Sequence, residues 1–219
     1  MRLLHYLRNL LFPPKCCFCR RLLQDGQSNP CPECEKALPY TRGKAVTDGR
    51  FFQKCISPLY YDGDVREAIL RYKFQNAAYY AEPFGKLLSG LVHERMRNEF
   101  DLITWVPLSK KRLRKRGYDQ AMLLARATAD HLEAVCVPLL EKFRNVPAQS
   151  GLGRVEQRRA NVSGVYRAVR ADLIAGKRIL LIDDVVTTGS TLSECARTLL
   201  LSGAASVVCA TLARSTFDS

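Results

Sequence analysis

Residues 178–191 read RILLIDDVVTTGST. The run Ile179-Leu180-Leu181-Ile182 is continuously apolar, as a strand buried on both faces must be. Two adjacent carboxylates follow, Asp183 and Asp184, and then a short polar turn, Thr187-Thr188-Gly189-Ser190-Thr191. The turn opens a helix expected over Ser190 to Leu201. Free backbone N–H groups at a helix start, hydroxyl side chains and the helix dipole together make a phosphate site. Gly189 lets the backbone approach the ligand. The acids cannot hold phosphate, but they can accept hydrogen bonds from vicinal hydroxyls or help to hold a hydrated magnesium ion. The run therefore reads as a sugar-phosphate site. A plain helix cap with Ser190 or Thr188 as N-cap would use the same turn, but it would need neither the second acid nor both threonines.

Outward from this run, the body after Pro58 alternates strands and helices. Strands are expected at Leu59–Tyr61, Asp101–Val106, Ala134–Leu140, Gly164–Val169 and Ser206–Leu212. Helices are expected at Val65–Phe74, Ala81–Arg97 and Tyr118–Leu132. Pro138 weakens the far end of the Ala134–Leu140 strand. This alternation implies an α/β domain, a mainly parallel twisted sheet with helices on both faces, whose ligands sit outside the carboxyl ends of the strands.

Two further segments belong at that edge. After the strand ending at Val106, six of the seven residues from Lys110 to Arg116 are basic. A charge run is usually a solvated face, but this one is expected in a loop, Val106 to Ala121, that leaves the ligand edge, where Lys110, Arg112 and Arg116 could grip a pyrophosphate. The segment from Arg144 to Tyr166 holds three glycines and four arginines. It reads either as a basic flap, with Gln149, Arg158 and Asn161 as candidate contacts, or as a surface excursion.

The chain has nine cysteines, five of them between Cys16 and Cys34. Cys16-x-x-Cys19 and Cys31-x-x-Cys34 can offer four thiolates to one ion. That set satisfies tetrahedral zinc and leaves no open position, which predicts a structural site. Cys17 could replace Cys16 in it. Cys55 lies outside the knuckle, and Cys136, Cys195 and Cys209 read as core.

Lys and Arg number 34 against 21 Asp and Glu, a net charge of +13. That favours anionic partners without choosing among nucleotides, pyrophosphate and nucleic acid. No apolar run is long enough to span a membrane. An odd cysteine count and a nucleotide-type site argue for a reducing, cytoplasmic setting. Residues 1–12 read as an amphipathic helix that packs on the body or on a partner.

The Asp183–Thr191 run resembles the phosphoribosyl-pyrophosphate (PRPP) motif of type I phosphoribosyltransferases. Carried over by position, Asp183 and Asp184 take the ribose hydroxyls and Thr187, Thr188, Gly189, Ser190 and Thr191 take the 5-phosphate. Nearly the whole chain resembles the ComF family of phosphoribosyltransferase-like proteins. The resemblance runs through the FPP-x-Cys start, the second CxxC, YDGDVREAILRYKF, VPL…KR…RGYDQA, Q-x-G-L…R…N-V-x-G and DDVVTTGST. Two departures stand out. Only Cys55 remains where many members carry a further CxxC pair, and Asp119 replaces the usual Asn. The resemblance implies a type I phosphoribosyltransferase fold with a small N-terminal zinc knuckle, organised as helix 1–12, knuckle 13–50 and PRPP-binding domain 51–219. It also implies PRPP with Mg2+ as ligand, one structural Zn2+ on Cys16, Cys19, Cys31 and Cys34, and a role in competence and DNA uptake. The expected activity is phosphoribosyl transfer to an acceptor the sequence does not identify. The alternative is a competence factor that handles single-stranded DNA, with PRPP as regulator and no catalysis. Competence proteins are further candidate partners.

Overall fold

The computed structural model describes residues 13–42, 49–143 and 164–215. Residues 1–12, including the expected amphipathic helix, and the candidates Gln149, Arg158 and Asn161 lie outside them. In chain order the elements are α1 (Pro32–Ala37), β1 (Cys55–Ile56), β2 (Leu59–Tyr60), α2 (Gly63–Phe74), α3 (Ala81–Met96), β3 (Leu102–Trp105) and α4 (Lys110–Arg116). They continue with α5 (Gln120–Leu132), β4 (Leu140–Lys142), β5 (Tyr166–Ala168), α6 (Ala171–Ile174), β6 (Arg178–Val186), α7 (Ser190–Leu201) and β7 (Ser206–Arg214).

The main sheet runs β1-β7-β6-β3, with β2 also on β7, and every pairing is parallel. Because side chains alternate along a strand, β6 feeds two cores. Leu180 and Ile182 pack with Val208, Ala210 and Leu212 of β7 beneath Ile69 and Tyr72 of α2, Phe84 and Leu88 of α3 and Leu124 of α5. Ile179 and Leu181 pack with Val207 and Cys209 against Cys195, Ala196 and Leu199 of α7 on the other face. These four β6 side chains are fully buried, so truncating any one to Ala should cost about 2–5 kcal/mol. Helices α3 and α5 cross closely at Gly85, where an added Cβ would lie 2.5 Å from the Cβ of Ala127.

Three expectations need adjustment. The Ala134–Leu140 segment pairs with the sheet through a single parallel bridge among the described residues, between Cys136 and Ile103. Ile103 N–H donates to Val135 O at 2.8 Å and Val137 N–H to Ile103 O at 3.0 Å. Pro138, which has no N–H, follows and the ladder stops. The Gly164–Val169 strand forms as β5, but it pairs antiparallel with β4 in a separate ribbon. The basic run 110–116 is a helix, not a loop. Ser109 caps it by accepting from Arg112 N–H at 3.4 Å, and Gly117 ends it at φ 81°.

Candidate functional site

Strand β6 outlasts its neighbour. Trp105, the last residue of β3, is in register with Ile182, so Asp183 and Asp184 emerge just beyond it at the carboxyl edge of the sheet. Asp183 Oδ1 accepts from the Asp184 N–H at 2.8 Å. Gly189 then adopts φ 71°, the left-handed region that favours glycine, and α7 begins with no side-chain cap bond. The nearest thing to a cap is Ser190 N–H to Thr188 Oγ1 at 3.4 Å, while the Thr188 and Ser190 hydroxyls bond each other at 2.8 Å. The N-terminal N–H groups thus face a niche of about 30 Å³ lined by Asp183, Val185, Val186, Thr187, Thr188, Gly189, Ser190, Thr191 and Leu192. Such a helix start, with no side-chain cap, can receive an anion.

One residue that sequence reasoning passed over meets the acids directly. Lys73, near the end of α2, places Nζ 2.7 Å from Asp184 Oδ1, with both side chains largely buried. Its burial opposes the charged form, but Asp184 outweighs this and raises the Lys73 pKa. Among the described residues no ion pair includes Asp183. Burial and the charge of Asp184 push its carboxyl far above the usual range, to about 8. The acid pair therefore divides. Asp184 is committed to an internal cation, and Asp183 is the one left facing the niche.

The basic helix reaches the same side. Arg116 hydrogen-bonds Gln120 Oε1 at 2.7 Å and lies 4.8 Å from the centre of the Phe74 ring. It is half-buried, within the field of Asp184. Arg112 is felt by Lys142 of β4 and by Arg116. Lys110 is exposed in the first turn, and among the described residues nothing ties it to the acids. Asp119 proves to be architectural. Its carboxylate accepts from Met122 N–H at 3.1 Å, capping α5, and from Leu108 N–H at 3.0 Å, pinning the chain that leads into α4.

The cysteine knuckle closes as the spacing requires. The Sγ atoms of Cys16, Cys19, Cys31 and Cys34 all lie within 4.8 Å of one another. Zinc–sulfur bonds of about 2.3 Å in a tetrahedron put sulfurs about 3.8 Å apart, and Cys19 and Cys31 are at 3.8 Å. The cluster fits a structural zinc ion. Burial pushes the Cys16 thiol up, but backbone N–H groups of Cys31, Phe18 and Cys19 outweigh it and bring the pKa to about 7. Cys17 turns the other way. It is buried in the core beside Phe18, and burial raises its thiol pKa strongly. Cys55 is buried in β1, in register with Cys209, with its pKa pushed up to about 12 by burial and by Asp183. Neither is in the cluster. Arg71 of α2 ties the knuckle to the body by donating from Nη2 to Phe18 O at 2.7 Å and to Cys17 O at 3.1 Å. A separate cavity of about 540 Å³ lies between the knuckle and α3, bordered by Asn29, Tyr40, Leu87 and Leu91.

A strand-acid-acid-turn-helix unit at the carboxyl edge of a parallel sheet covered on both faces defines a phosphoribosyltransferase-like protein. Comparison agrees: the phosphoribosyl transferase domain family matches residues 119–216. Across nearly its full length the chain resembles competence proteins. It is 27% identical to competence protein F of Haemophilus influenzae, covering 84% of this chain and 90% of that protein. It is 29% identical to competence protein ComFC of Bacillus subtilis, covering 91% and 84%, and 26% identical to the DNA utilization protein YhgH of Escherichia coli K12, covering 90% and 96%. Over nearly its whole length the chain is thus similar to ComF-type competence proteins, and residues 119–216 match the phosphoribosyl transferase domain. Among solved structures it is similar to the allosteric regulatory enzyme of purine biosynthesis, with 21% identity and a TM-score of 0.44. That match covers 64% of this chain and 29% of the other. Adenine phosphoribosyltransferase from Thermoanaerobacter pseudethanolicus gives 17%, 0.39, 65% and 84%. Among the described residues no helix is long and apolar enough to cross a membrane.

Proposed function

We propose that this protein binds PRPP at the carboxyl edge of the sheet and transfers its phosphoribosyl group to an acceptor, in a competence or DNA-uptake setting. The observation that carries the reading is the uncapped, left-handed Gly189 turn at the start of α7, placed directly after Asp183 and Asp184. In this reading Thr187, Thr188, Gly189, Ser190 and Thr191 hold the 5-phosphate and Asp183 accepts from the ribose hydroxyls. Asp184 fixes the edge through Lys73. Arg112 and Arg116 face the pyrophosphate, with Lys110 at its outer limit. In the transfer, a bond forms from an acceptor nitrogen to the anomeric carbon as the bond from that carbon to the pyrophosphate oxygen breaks. Pyrophosphate leaves with the electron pair, and the proton from nitrogen passes to solvent. The chain contributes positioning and positive charge where negative charge accumulates. Magnesium bound with PRPP supplies further charge neutralisation. The four-cysteine knuckle holds zinc and has a structural role.

Calorimetry with PRPP and magnesium, on wild type and on Asp183→Asn, tests the binding. We expect saturable binding at one site, weakened at least tenfold in the variant. Equal affinity in both proteins would refute this placement of the ribose.

One observation favours a second reading. Phe74 and Tyr79 are 61% and 63% exposed, and Phe74 lies under Arg116 of the basic helix. Exposed rings beside cations suit stacking by single-stranded DNA, with PRPP as regulator. This reading requires salt-sensitive binding that charge reversal at Arg114 and Lys115 weakens more than it weakens PRPP binding. The absence of any mobility shift at low salt would remove it.

A further inference from the structure

The β4–β5 ribbon stands beside the ligand edge with a polar pair that the phosphate and ribose contacts do not use. Lys142 and Tyr166 are cross-strand partners. Lys142 Nζ donates to the Tyr166 hydroxyl at 3.1 Å and stands 5.0 Å from the centre of its ring. The Tyr166 ring is anchored rather than loose: it is buried with Val186, Leu192 and Cys195 beneath the phosphate turn. Val186 and Leu192, which share that cluster with Tyr166, also border the niche beside Asp183, so the pair stands next to the site. Among the described residues no ion pair includes Lys142 or Arg112.

Two donors therefore stand together without an internal acceptor of opposite charge: the Lys142 ammonium and the Tyr166 hydroxyl. The hydroxyl accepts from Lys142 and keeps its own proton to donate. Half-buried donors left unpaired are costly, so a ligand group that meets them must bring acceptor atoms. A group that brings only N–H donors or a positive charge would leave both unsatisfied.

We propose that the β4–β5 ribbon forms the acceptor edge of the site, and that Lys142 and Tyr166 select an acceptor heterocycle whose edge carries carbonyl or carboxylate oxygens. The proposal rests on the PRPP reading of the neighbouring turn. Lys142 and Tyr166 are specificity residues in it. They hold the oxygen edge so that a ring nitrogen points at the anomeric carbon above Asp183, and they exclude alkylamines and heterocycles that present only amino groups.

The test uses nucleoside 5′-monophosphates, which span ribose, phosphate and base without requiring turnover. Uridine and inosine monophosphates, with carbonyl edges, are compared by calorimetry with cytidine and adenosine monophosphates, with amino edges, and with ribose 5-phosphate. The full-length protein is used as wild type, Lys142→Met and Tyr166→Phe. We expect the carbonyl pair to bind at least tenfold tighter than ribose 5-phosphate and than the amino pair. Lys142→Met should erase that preference while ribose 5-phosphate affinity stays within twofold, and Tyr166→Phe should reduce it part-way. Equal affinity for all bases, preference for the amino bases, or a preference that survives Lys142→Met would overturn the proposal. So would a fivefold or greater loss of ribose 5-phosphate affinity in Lys142→Met, which would move Lys142 into the phosphate contacts. If neither PRPP nor ribose 5-phosphate binds wild type while the monophosphates still discriminate by base, the PRPP reading fails and the ribbon assignment stands by itself.

Discussion

Replacing Lys73 by Met removes the cation from beside two adjacent buried carboxylates. The pair is close, 2.7 Å, and both side chains are more than four-fifths buried. Removing one partner from a buried ion pair typically costs about 3–5 kcal/mol, because the remaining charge is stranded. Here the acids have an escape, since Asp183 already holds its proton far above the usual range. We therefore take the lower end, about 3 kcal/mol at neutral pH, which for a chain of this size lowers Tm by about 6–12 °C. The sign of the pH dependence follows from linkage. A carboxyl whose folded pKa is raised binds more protons folded than unfolded. Its contribution is full below the unfolded pKa near 4 and is lost as pH rises toward about 8. Lys73 holds the Asp183 pKa down, so without it that pKa rises further and the variant's loss of stability should extend to higher pH. Urea unfolding of wild type and Lys73→Met at pH 5, 7 and 8.5 measures this, and the difference between the proteins should grow with pH. A difference below about 1 kcal/mol at every pH, the range of an exposed pair, or one that is largest at pH 5, would refute the reasoning.

Other outcomes follow from the same contacts. Gly189→Ala forces a Cβ into φ 71° and should cost about 1–2 kcal/mol while weakening PRPP binding, read by chemical denaturation and calorimetry together. Purified protein should carry one zinc per chain by elemental analysis. Cys34→Ser should lose it and Cys17→Ser should retain it, since only Cys34 belongs to the thiol cluster. Asp119→Ala removes the α5 cap and the Leu108 contact. A loss of about 2 kcal/mol is expected in urea unfolding, from a cap and an orphaned N–H, and Asp119→Asn should recover most of it. Gly85→Val drives side-chain atoms into Ala127 of α5 and should lower Tm more than any exposed substitution on α3.

Much of this arrangement was legible from local pattern. The apolar run of β6, the turn and α7 sit where periodicity and residue type put them, because each is specified by neighbours in sequence. The four clustered cysteines were legible for the same reason, although Cys16 and Cys17 could not be separated. Only the packing, which turns Cys17 into the core, does that. What escaped was set by distant partners. Lys73 and Asp184 are 111 positions apart, and nothing in a helix rich in Arg and Lys marks one lysine as buried. Lys142 and Tyr166 pair across a segment of more than 20 residues, and the short strands carrying them gave no sign that they leave the main sheet. The basic run looked like a loop because charge hid its helix signals, Ser109 before it and Gly117 after it.

Helix α2 has one further consequence. Residues two apart on a helix project to nearly opposite sides, and Arg71 and Lys73 use this: one grips the backbone of the cysteine knuckle, the other the acid at the sheet edge. A single insertion or deletion between them would turn one of the two grips away by about 100°. The helix is thus held at both points and acts as a fixed ruler between the knuckle and the acid pair at the sheet edge.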